Sequence, residues 1–191
     1  EFDKAGYYCQ HFLLDASKMG VPQRRERVFF ICLRKDLAEP FLYQKDMFSK
    51  VPKIEMVFNE KGIPYKEVKT KFKKNPFTDY DLNVWNSKIE GDLSYSDTLL
   101  RTIKKEKNWN SKYIYDNKIC NTIASSCGSK LICYSEPRTL NDLEILKIGS
   151  FPIDYDFGKQ KVKYMVGMSV PPCLLYTSDA ADDMQCVDLG G

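Results

Sequence analysis

Two short runs of apolar residues stand near the start of this 191-residue chain. Residues 5–15 are rich in aromatic and aliphatic side chains, and residues 27–33 place six apolar residues in succession behind one arginine. Both runs have the length and the β-branched or aromatic content of strands. Because residues 16–20 form only a compact connection between them, we expect the two strands to pair antiparallel.

Residues 35–118 show no long hydrophobic period. Prolines at positions 40, 52, 64 and 76 interrupt the segment, and lysines and aromatic residues are scattered through it. This pattern predicts irregular structure, because proline restricts the backbone around each break. Within the segment we expect one helix over residues 97–107, with Leu99, Leu100 and Ile103 on a common side.

Residues 137–146 contain the clearest helix start in the chain. Asn141 can accept a hydrogen bond from the first-turn backbone, and Glu144 stands where it completes a capping box. The pattern therefore predicts a capped helix with an apolar face. That face is made by three leucines at helical spacing: Leu140, Leu143 and Leu146.

The formal net charge of +3 hides an uneven distribution. Residues 51–130 carry 15 Lys or Arg against 10 Asp or Glu, whereas residues 174–191 carry four Asp and neither Lys nor Arg. A basic middle is consistent with a polyanionic partner, although a solvated, lysine-rich surface gives the same balance. The acidic, aperiodic tail resembles translated sequencing-adapter read-through, and we expect it to be non-native and to add nothing to the fold.

The seven cysteines and the single histidine limit the chemistry of this chain. No Cys-x-x-Cys pair occurs, and His11 stands alone, so we expect neither a metal site nor a histidine-based triad. The thiols are expected to be reduced and mostly buried, as in a cytoplasmic protein. No apolar stretch of membrane-spanning length and no signal pattern is present, so no membrane partner is expected.

Residues 20–27 combine a turn with a cluster of arginines. After Gly20 and Pro22 come Gln23, Arg24, Arg25 and Arg27, which lead directly into the second predicted strand. Guanidinium groups offer a rigid fork of donors that suits phosphate, carboxylate or base edges. If extended geometry begins early, the alternate positions Gln23, Arg25 and Arg27 share one face.

A second basic segment interleaves lysines with aromatic residues. Lys69, Lys71 and Lys73 stand near Tyr65 and Phe72. Such a strip is able to follow the phosphates of a nucleic acid. A surface strand with a polar face would produce the same pattern.

The string Gly-Val-Pro-Gln-x-Arg-x-Arg-Val-Phe over residues 20–29 resembles motif VIII of the DNA (cytosine-5) methyltransferases. Residues 138–157 resemble motif IX of that family, and residues 161–172 resemble motif X. The three motifs stand in the family's order. The gap between the first and the second is the size of a target recognition domain.

Motifs IX and X depart from the family pattern at single positions. In motif IX, Arg138 and Glu144 match the family, whereas Asn141 and Leu143 stand where Thr and Arg are usual. In motif X, Met168 replaces a common Asn. The departure at Met168 removes a polar side chain and any contact that it would make.

The resemblance implies an α/β fold. The chain would be the C-terminal part of a Rossmann-like, S-adenosylmethionine-dependent methyltransferase with a small, irregular, β-rich target recognition domain. Residues 1–36 would end the catalytic domain, residues 37–130 would form the recognition region, and residues 131–173 would return to the catalytic domain. Residues 174–191 would be the non-native tail.

The resemblance also implies transfer of a methyl group from S-adenosylmethionine to carbon 5 of a flipped cytosine in double-stranded DNA. Arg27 would donate to the carbonyl oxygen of the base, Arg25 would hold the catalytic loop, and Gln23 would help position them. Arg24 lies outside the motif and would be solvated or contact a phosphate. The cofactor pocket would include, at the start of a helix, Gly167, Met168, Ser169 and Val170.

The nucleophile of this reaction is expected upstream of Glu1, in a longer protein of which this chain is a fragment. Neither Pro-Cys-Gln nor Glu-Asn-Val, which carry the catalytic Cys and Glu of the family, occurs here. Cys173 follows a proline but belongs to the motif X string, and Cys9 lies in a predicted strand. Both are expected to be packed thiols, so the chain alone would be inactive.

Two alternatives to this function stay open. A transfer-RNA cytosine-5 methyltransferase has similar motifs, and a non-catalytic DNA-binding relative would keep the arginines without the nucleophile. The long basic stretch between the motifs favours double-stranded DNA as the partner. A cognate restriction endonuclease would be a further partner of such a system.

Overall fold

The structure is a computed structural model that describes residues 1–44, 46–47, 50–52, 54–71, 77–108, 110–126 and 128–175. These residues form an α/β fold that separates into two compact units. Unit 1 contains residues 1–15 and 25–59, and unit 2 contains residues 16–24 together with the described residues from Glu60 onward.

Unit 1 is built on an antiparallel hairpin. Strands β1 (Tyr7–Asp15) and β2 (Glu26–Arg34) pair along their whole length, with Cys9 opposite Cys32 and Leu13 opposite Val28. A 3-10 turn (Glu39–Phe41) leads to a second antiparallel pair, β3 (Leu42–Gln44) with β4 (Lys50–Pro52). The predicted pairing of the first two strands is confirmed.

Unit 2 contains the helices and one parallel pair of strands. Its strands β5 (Lys112–Ile114) and β6 (Leu131–Cys133) pair parallel. Two 3-10 turns cover Ala16–Lys18 and Tyr65–Glu67. Its described residues include the α-helices α1 (Asp79–Asn86), α2 (Tyr95–Ile103), α3 (Asp142–Ile148) and α4 (Val162–Met168).

Helix α2 differs from its prediction in both limits and face. Ser94 caps it, and the capping box with Asp97 starts the helix two residues earlier than expected. It ends before Lys104, whose left-handed φ of 56° stops the helical geometry. The predicted apolar side is wrong, because Leu99 is buried while Leu100 and Ile103 are exposed.

Helix α3 confirms the predicted capping box. The Asn141 side chain accepts from the backbone N–H of Glu144, and the Glu144 carboxylate accepts from the backbone N–H of Asn141. The buried residues of this region include Leu140, Leu146 and Ile145, whereas Leu143 is only half-buried. The local sequence therefore determines where this helix begins.

The main core of unit 2 crosses the predicted boundary at residue 130. Tyr65, Ile114 and Ile123 pack in one cluster with Leu131 and Val166. The segment from Glu60 to residue 130 therefore belongs to the same compact unit as residues 131–175, and the separate recognition region predicted for 37–130 does not follow the observed units. The reason is that this segment buries its apolar residues against the later ones.

The predicted start of the tail cuts into the fold. Residues 172–175 are helical, the backbone N–H of Leu174 donates to the carbonyl of Pro171 at 3.0 Å, and Leu174 is fully buried. Leu174 is thus packed in the fold, and the boundary of a non-native tail at residue 174 stays a prediction. Residues 176–191 lie outside the described residues. Within the described part of the chain, no helix is long and apolar enough to cross a membrane.

Candidate functional site

A tight turn introduces the arginine-bearing segment. Backbone N–H groups of Met19 and Val21 both donate to the carbonyl of Ala16, which closes the turn. Gly20 has a φ of +76°, and a Cβ there would lie 2.7 Å from the Glu60 carboxylate. Glycine is therefore favoured at this position by backbone conformation, whereas the flexible Glu60 side chain is able to move away from a Cβ.

The backbone after the turn is fixed to the segment around Cys120. Gln23 forms an isolated parallel bridge with Cys120, and the Arg24 N–H donates to the Cys120 carbonyl at 2.8 Å. The Thr122 hydroxyl donates to the Arg24 carbonyl at 2.6 Å. This side of the motif is consequently held rigidly within unit 2.

The side chain of Gln23 is almost completely buried. It is 1% exposed, and neither its amide nitrogen nor its amide oxygen has a hydrogen-bond partner among the described residues. Burying an amide without partners costs about 1–3 kcal/mol. Packing within the described residues does not satisfy this group.

Arg25 and Arg27 belong to unit 1 and differ in exposure. Arg25 is 1% exposed, and its burial, together with the charge of Arg27, lowers the pKa of Arg25 to about 10. Arg25 therefore remains a cation at neutral pH. Arg27 is half-buried, and its Nη1 donates to the carbonyl of Glu26 at 2.7 Å.

Exposure alternates along the motif as the sequence predicted. Gln23 and Arg25 are buried and Arg27 is half-buried, whereas Arg24 and Glu26 are exposed. Strand β2 itself begins only at Glu26, so the extended geometry starts as an isolated bridge before the strand. Since the two units divide the chain between Arg24 and Arg25, the motif contributes residues to both.

A buried ion pair supports unit 2. Arg138 donates from Nη1 and Nη2 to the two carboxylate oxygens of Glu144, both at 2.8 Å. Glu144 also accepts from the Tyr65 hydroxyl and from the backbone N–H of Thr70, each at 3.0 Å. Helix α3 is thereby tied to residues 65–70, more than seventy positions earlier in the chain.

The electrostatics of this pair follow from its surroundings. Burial alone would raise the pKa of the Glu144 carboxyl, but the hydrogen bonds from Arg138 and from backbone amides outweigh it and lower that pKa. The same hydrogen bond raises the pKa of Arg138, and burial raises the pKa of the Tyr65 hydroxyl. The pair is therefore ionised, and Tyr65 stays a neutral donor to it.

Lys69 has a different role from the predicted one. Its Nζ lies 3.2 Å from the Asp116 carboxylate and 2.8 Å from that of Glu136, and it donates to the Ser135 hydroxyl at 2.8 Å. Two carboxylates neutralise this ammonium, which argues against Lys69 as a phosphate contact. The segment is also a 3-10 turn at Tyr65–Glu67 rather than a strand.

The remaining lysines of the predicted strip divide between described and undescribed residues. Lys71 is exposed, as a phosphate contact requires. Lys73 lies outside the described residues. A contact of Lys71 and Lys73 with nucleic acid therefore remains a prediction.

The predicted cofactor segment lies at the end of a helix, not at its start. Gly167 and Met168 occupy the last turn of α4, Ser169 is its C-cap, and the chain becomes helical again at residue 172. A Cβ on Gly167 would lie 2.6 Å from the backbone nitrogen of Ser125. Gly167 therefore packs closely against the backbone of Ala124 and Ser125.

Substituting Gly167 by alanine is expected to destabilise the chain by about 1–3 kcal/mol, because the added methyl would overlap backbone atoms of Ala124 and Ser125. Helix propensity alone would favour alanine by about 1 kcal/mol. Urea unfolding measures the sum of the two effects. Gly128→Ala, where a Cβ meets nothing within 4 Å, is the matched control. A more stable Gly167→Ala variant would contradict the observed packing.

Several residues of the site carry no sequence pattern that would have revealed them. Asp116, Glu136 and Thr70 join the ion-pair network only through tertiary contacts. Asn117 and Lys118 line a cavity of about 450 Å³ in unit 2. For Asp116, Glu136 and Lys118 the sequence offers only a charge, which does not identify a partner, and for Thr70 and Asn117 it offers no signal.

The described residues share the Rossmann-like α/β fold of solved methyltransferases. A candidate DNA modification methyltransferase encoded within an E. coli prophage, known from a crystal structure, superposes on 90% of this chain with a TM-score of 0.51 at 16% identity. The match covers 58% of that protein. At this identity the similarity establishes the fold alone.

Sequence comparison establishes the family. The profile described as "C-5 cytosine-specific DNA methylase" matches residues 1–178. The chain belongs to this family. It is 26% identical over 190 residues to the type II methyltransferase M.BbvI of Brevibacillus brevis, and 23% identical over 194 residues to the type II methyltransferase M.NgoFVII of Neisseria gonorrhoeae.

The chain spans about half the length of these curated relatives. The first alignment covers 88% of the chain and 47% of its relative, and the second covers 90% and 49%. The family match also extends past residue 174, in agreement with the buried Leu174.

Proposed function

We propose that this chain serves in the transfer of a methyl group from S-adenosylmethionine to carbon 5 of a cytosine in double-stranded DNA. Family membership supports the reaction class, and the names of the two curated relatives fit it. The observation that carries the proposal is the motif at residues 23–27. It combines a fully buried amide that has no partner among the described residues with two arginines at the entry of a strand.

In this proposal, Arg27 donates to the carbonyl oxygen of the extruded cytosine. Arg27 is half-buried, and its Nη1 donates to the adjacent Glu26 carbonyl, an exposed local contact that a base can replace at low cost. A charge-assisted donor at that oxygen stabilises the electron density that develops when a thiolate attacks the ring. Arg25, a buried cation, would hold the loop that bears the nucleophile, and Gln23 would position both through its amide.

The cofactor proposal rests on the end of helix α4. S-adenosylmethionine, when bound, supplies an activated methyl group on a sulfonium. Gly167 is packed against Ser125 and Ser169 donates to the Val166 carbonyl at 3.0 Å, so these two residues shape the segment. Met168 is 61% exposed and Val170 is half-buried, which leaves an apolar edge suited to one wall of the cofactor pocket.

This chain lacks a Pro-Cys-Gln nucleophile, and the proposal accordingly assigns it base positioning and DNA binding, not bond formation. Cys173 is half-buried beside the motif X segment, and Cys9 is exposed on β1. Exposure of Cys9 corrects the expectation that it is a packed thiol. Neither cysteine follows the Pro-Cys-Gln pattern.

The chain by itself is expected to transfer no methyl group, because it carries no nucleophile in the family's sequence context. Incorporation of radiolabelled methyl from S-adenosylmethionine into duplex DNA measures this directly. A protein in which this chain is joined to the N-terminal half of a curated relative provides the comparison, and transfer by that fusion is the expected positive result. Incorporation by the chain alone that is lost in Cys9→Ser or Cys173→Ser would contradict the assignment.

The same assay separates the DNA reaction from its alternatives. Transfer to duplex DNA but not to transfer RNA supports the proposed substrate, and the reverse preference overturns it. Because the curated relatives are named type II methyltransferases, a cognate restriction endonuclease is the proposed partner of the system. Protection of methylated DNA from that endonuclease would test the partnership.

A further inference from the structure

We propose that a cleft between Arg24 and the loop Tyr115–Asn121 binds a nucleotide of the DNA substrate, with cations on its phosphate and amides near its base. The inference rests on the proposed function, which it deepens by locating a DNA contact outside the predicted lysine strip. The cleft lies entirely within unit 2. Its volume of about 450 Å³ falls in the range of small-ligand sites, about 300–1,000 Å³.

The walls of the cleft combine an apolar floor with a polar rim. Tyr113 and Ile114, both 2% exposed, belong to the floor. The rim carries two cations and two amides: Arg24, Lys118, Asn117 and Asn121. A phosphate suits the cations, and the edge of a base suits the amides, which both donate and accept hydrogen bonds.

The rim cations are available for a ligand. Among the described residues, neither Arg24 nor Lys118 forms an ion pair, and both are exposed. Asp116, the acidic residue of the loop, is neutralised by Lys69 at 3.2 Å. The rim therefore keeps a net positive charge, which attracts a phosphate.

Hydrogen bonds fix the rim on both sides. The Lys118 carbonyl accepts from the Tyr65 N–H at 3.0 Å, and the Asp116 carbonyl accepts from the Lys66 N–H at 2.9 Å. On the opposite side, Arg24 is anchored to Cys120 at 2.8 Å. A preformed cleft loses little conformational entropy when it binds a ligand.

A stack of aromatic rings and cations supports the wall of the cleft. Lys118 Nζ lies 4.3 Å from the ring centre of Tyr115, which stacks on Tyr134 at 4.1 Å, and Lys88 lies over the far ring at 4.8 Å. The Tyr115 hydroxyl donates to the Asp92 carbonyl at 2.6 Å, and burial raises its pKa to about 12. Tyr115 is thus a fixed, neutral surface on which Lys118 is held.

Fluorescence anisotropy of a labelled DNA duplex with the full chain tests the cleft. Arg24→Ala and Lys118→Ala are each expected to weaken binding several-fold and to reduce the slope of log affinity against log salt by about one, as for a lost phosphate contact. Asn117→Ala and Asn121→Ala should leave that slope unchanged and alter the preference between A·T-rich and G·C-rich duplexes. Lys105→Ala, an exposed lysine outside the cleft, is the matched control.

The outcomes of this experiment are distinct. If the wild-type chain binds the duplex and both cation variants keep its affinity and salt slope, the cleft is overturned while the proposed function stands. If Lys71→Ala alone lowers the affinity and the salt slope, the lysine strip is the DNA contact and the proposal for the cleft is again overturned. Tighter binding of an RNA of the same sequence, or no duplex binding by the wild type, overturns both the cleft and the DNA function.

A second inference comes independently from the hairpin of unit 1. We infer that Cys9 and Cys32 are a dithiol site that peroxide oxidises to a cross-strand disulfide. The two residues face each other directly in the β1–β2 register, and their Sγ atoms lie 2.9 Å apart. Directly opposed strand residues have Cα atoms about 4.5–5.5 Å apart. That separation lies within the range of disulfides, about 4.4–6.8 Å.

The oxidation uses hydrogen peroxide as the named oxidant. One thiol becomes a sulfenic acid with release of water, and attack by the other thiol forms the S–S bond and releases a second water. Cys9 is exposed and Cys32 is half-buried, so peroxide reaches the pair. Cys9, the more exposed of the two, is the thiol that peroxide reaches first, and Cys32 is placed to attack the sulfenic acid.

Intact-mass and peptide analysis of the peroxide-treated chain tests this site. The expected result is a loss of two hydrogen atoms and a cross-linked peptide pair that contains Cys9 and Cys32. The cross-link should disappear in Cys9→Ser and persist in Cys173→Ser. A disulfide between other cysteines, or oxidation of Cys9 to sulfinic acid without a cross-link, would overturn the inference.

Discussion

Glu144→Gln is expected to destabilise the chain by about 3–5 kcal/mol, the usual cost of removing one partner from a buried ion pair. Glu144 is fully buried and accepts hydrogen bonds from Arg138, Tyr65, Thr70 and Asn141. Glutamine has nearly the same volume, but its amide nitrogen would face one of these donors. Arg138, 5% exposed, would keep its charge and lose its buried partner, while the partly exposed Glu136 carboxylate stays 2.6 Å from its Nε.

Urea unfolding of the chain measures this loss. Asp142→Asn is the matched control, because Asp142 is an exposed acid in the first turn of the same helix and should cost about 0.3–1 kcal/mol. The stabilisation by Glu144 depends on its lowered pKa, so it should be present at neutral pH and be lost as the pH falls through that pKa. Equal losses in both variants would contradict the role of the ion pair.

Arg27→Ala, in a full-length methyltransferase that contains this chain, is expected to reduce methyl transfer about 10²–10³-fold, the effect of removing one preorganised donor from a developing negative charge. Duplex affinity should fall far less, because the proposed contact forms with the extruded base and strengthens during the reaction. Single-turnover methylation and equilibrium DNA binding, measured on the same preparation, separate the two effects.

The control for this prediction lies on the same strand. Arg34 ends β2, is exposed and pairs with Asp36 at 2.6 Å. Arg34→Ala should therefore leave both the rate of methyl transfer and the duplex affinity close to those of the wild type. If Arg27→Ala reduces binding and methyl transfer by the same factor, Arg27 is a general DNA contact and its assignment to the base is wrong. Arg27→Lys should restore little of the methyl-transfer rate, since an ammonium lacks the forked donors of a guanidinium.

Both predictions concern residues that were recognisable before the structure. Arg138 and Glu144 match the family motif, and local sequence rules predict the capping box at Asn141. The hairpin of β1 and β2 followed from two apolar runs with a short connection between them. These features were predictable because each depends on residues that are close together in the chain.

The recognition region was harder to predict for a physical reason. The sequence between residues 60 and 130 shows no period, and its apolar residues are buried in clusters that also include partners from residues 131–166. The prediction of the apolar face of α2 was also wrong because tertiary packing determines it. That packing buries Tyr95 and Thr98 and leaves Leu100 and Ile103 exposed.

The sequence by itself determined the family motifs, the hairpin and the capped helix α3. Only the tertiary structure decided that Lys69 is neutralised by Asp116 and Glu136, that Gly167 meets Ser125, and that Arg24 stands at the rim of a cleft. The division follows from sequence separation. Contacts within a turn or a hairpin are constrained by local geometry, whereas contacts across 40 or more residues depend on how the whole core packs.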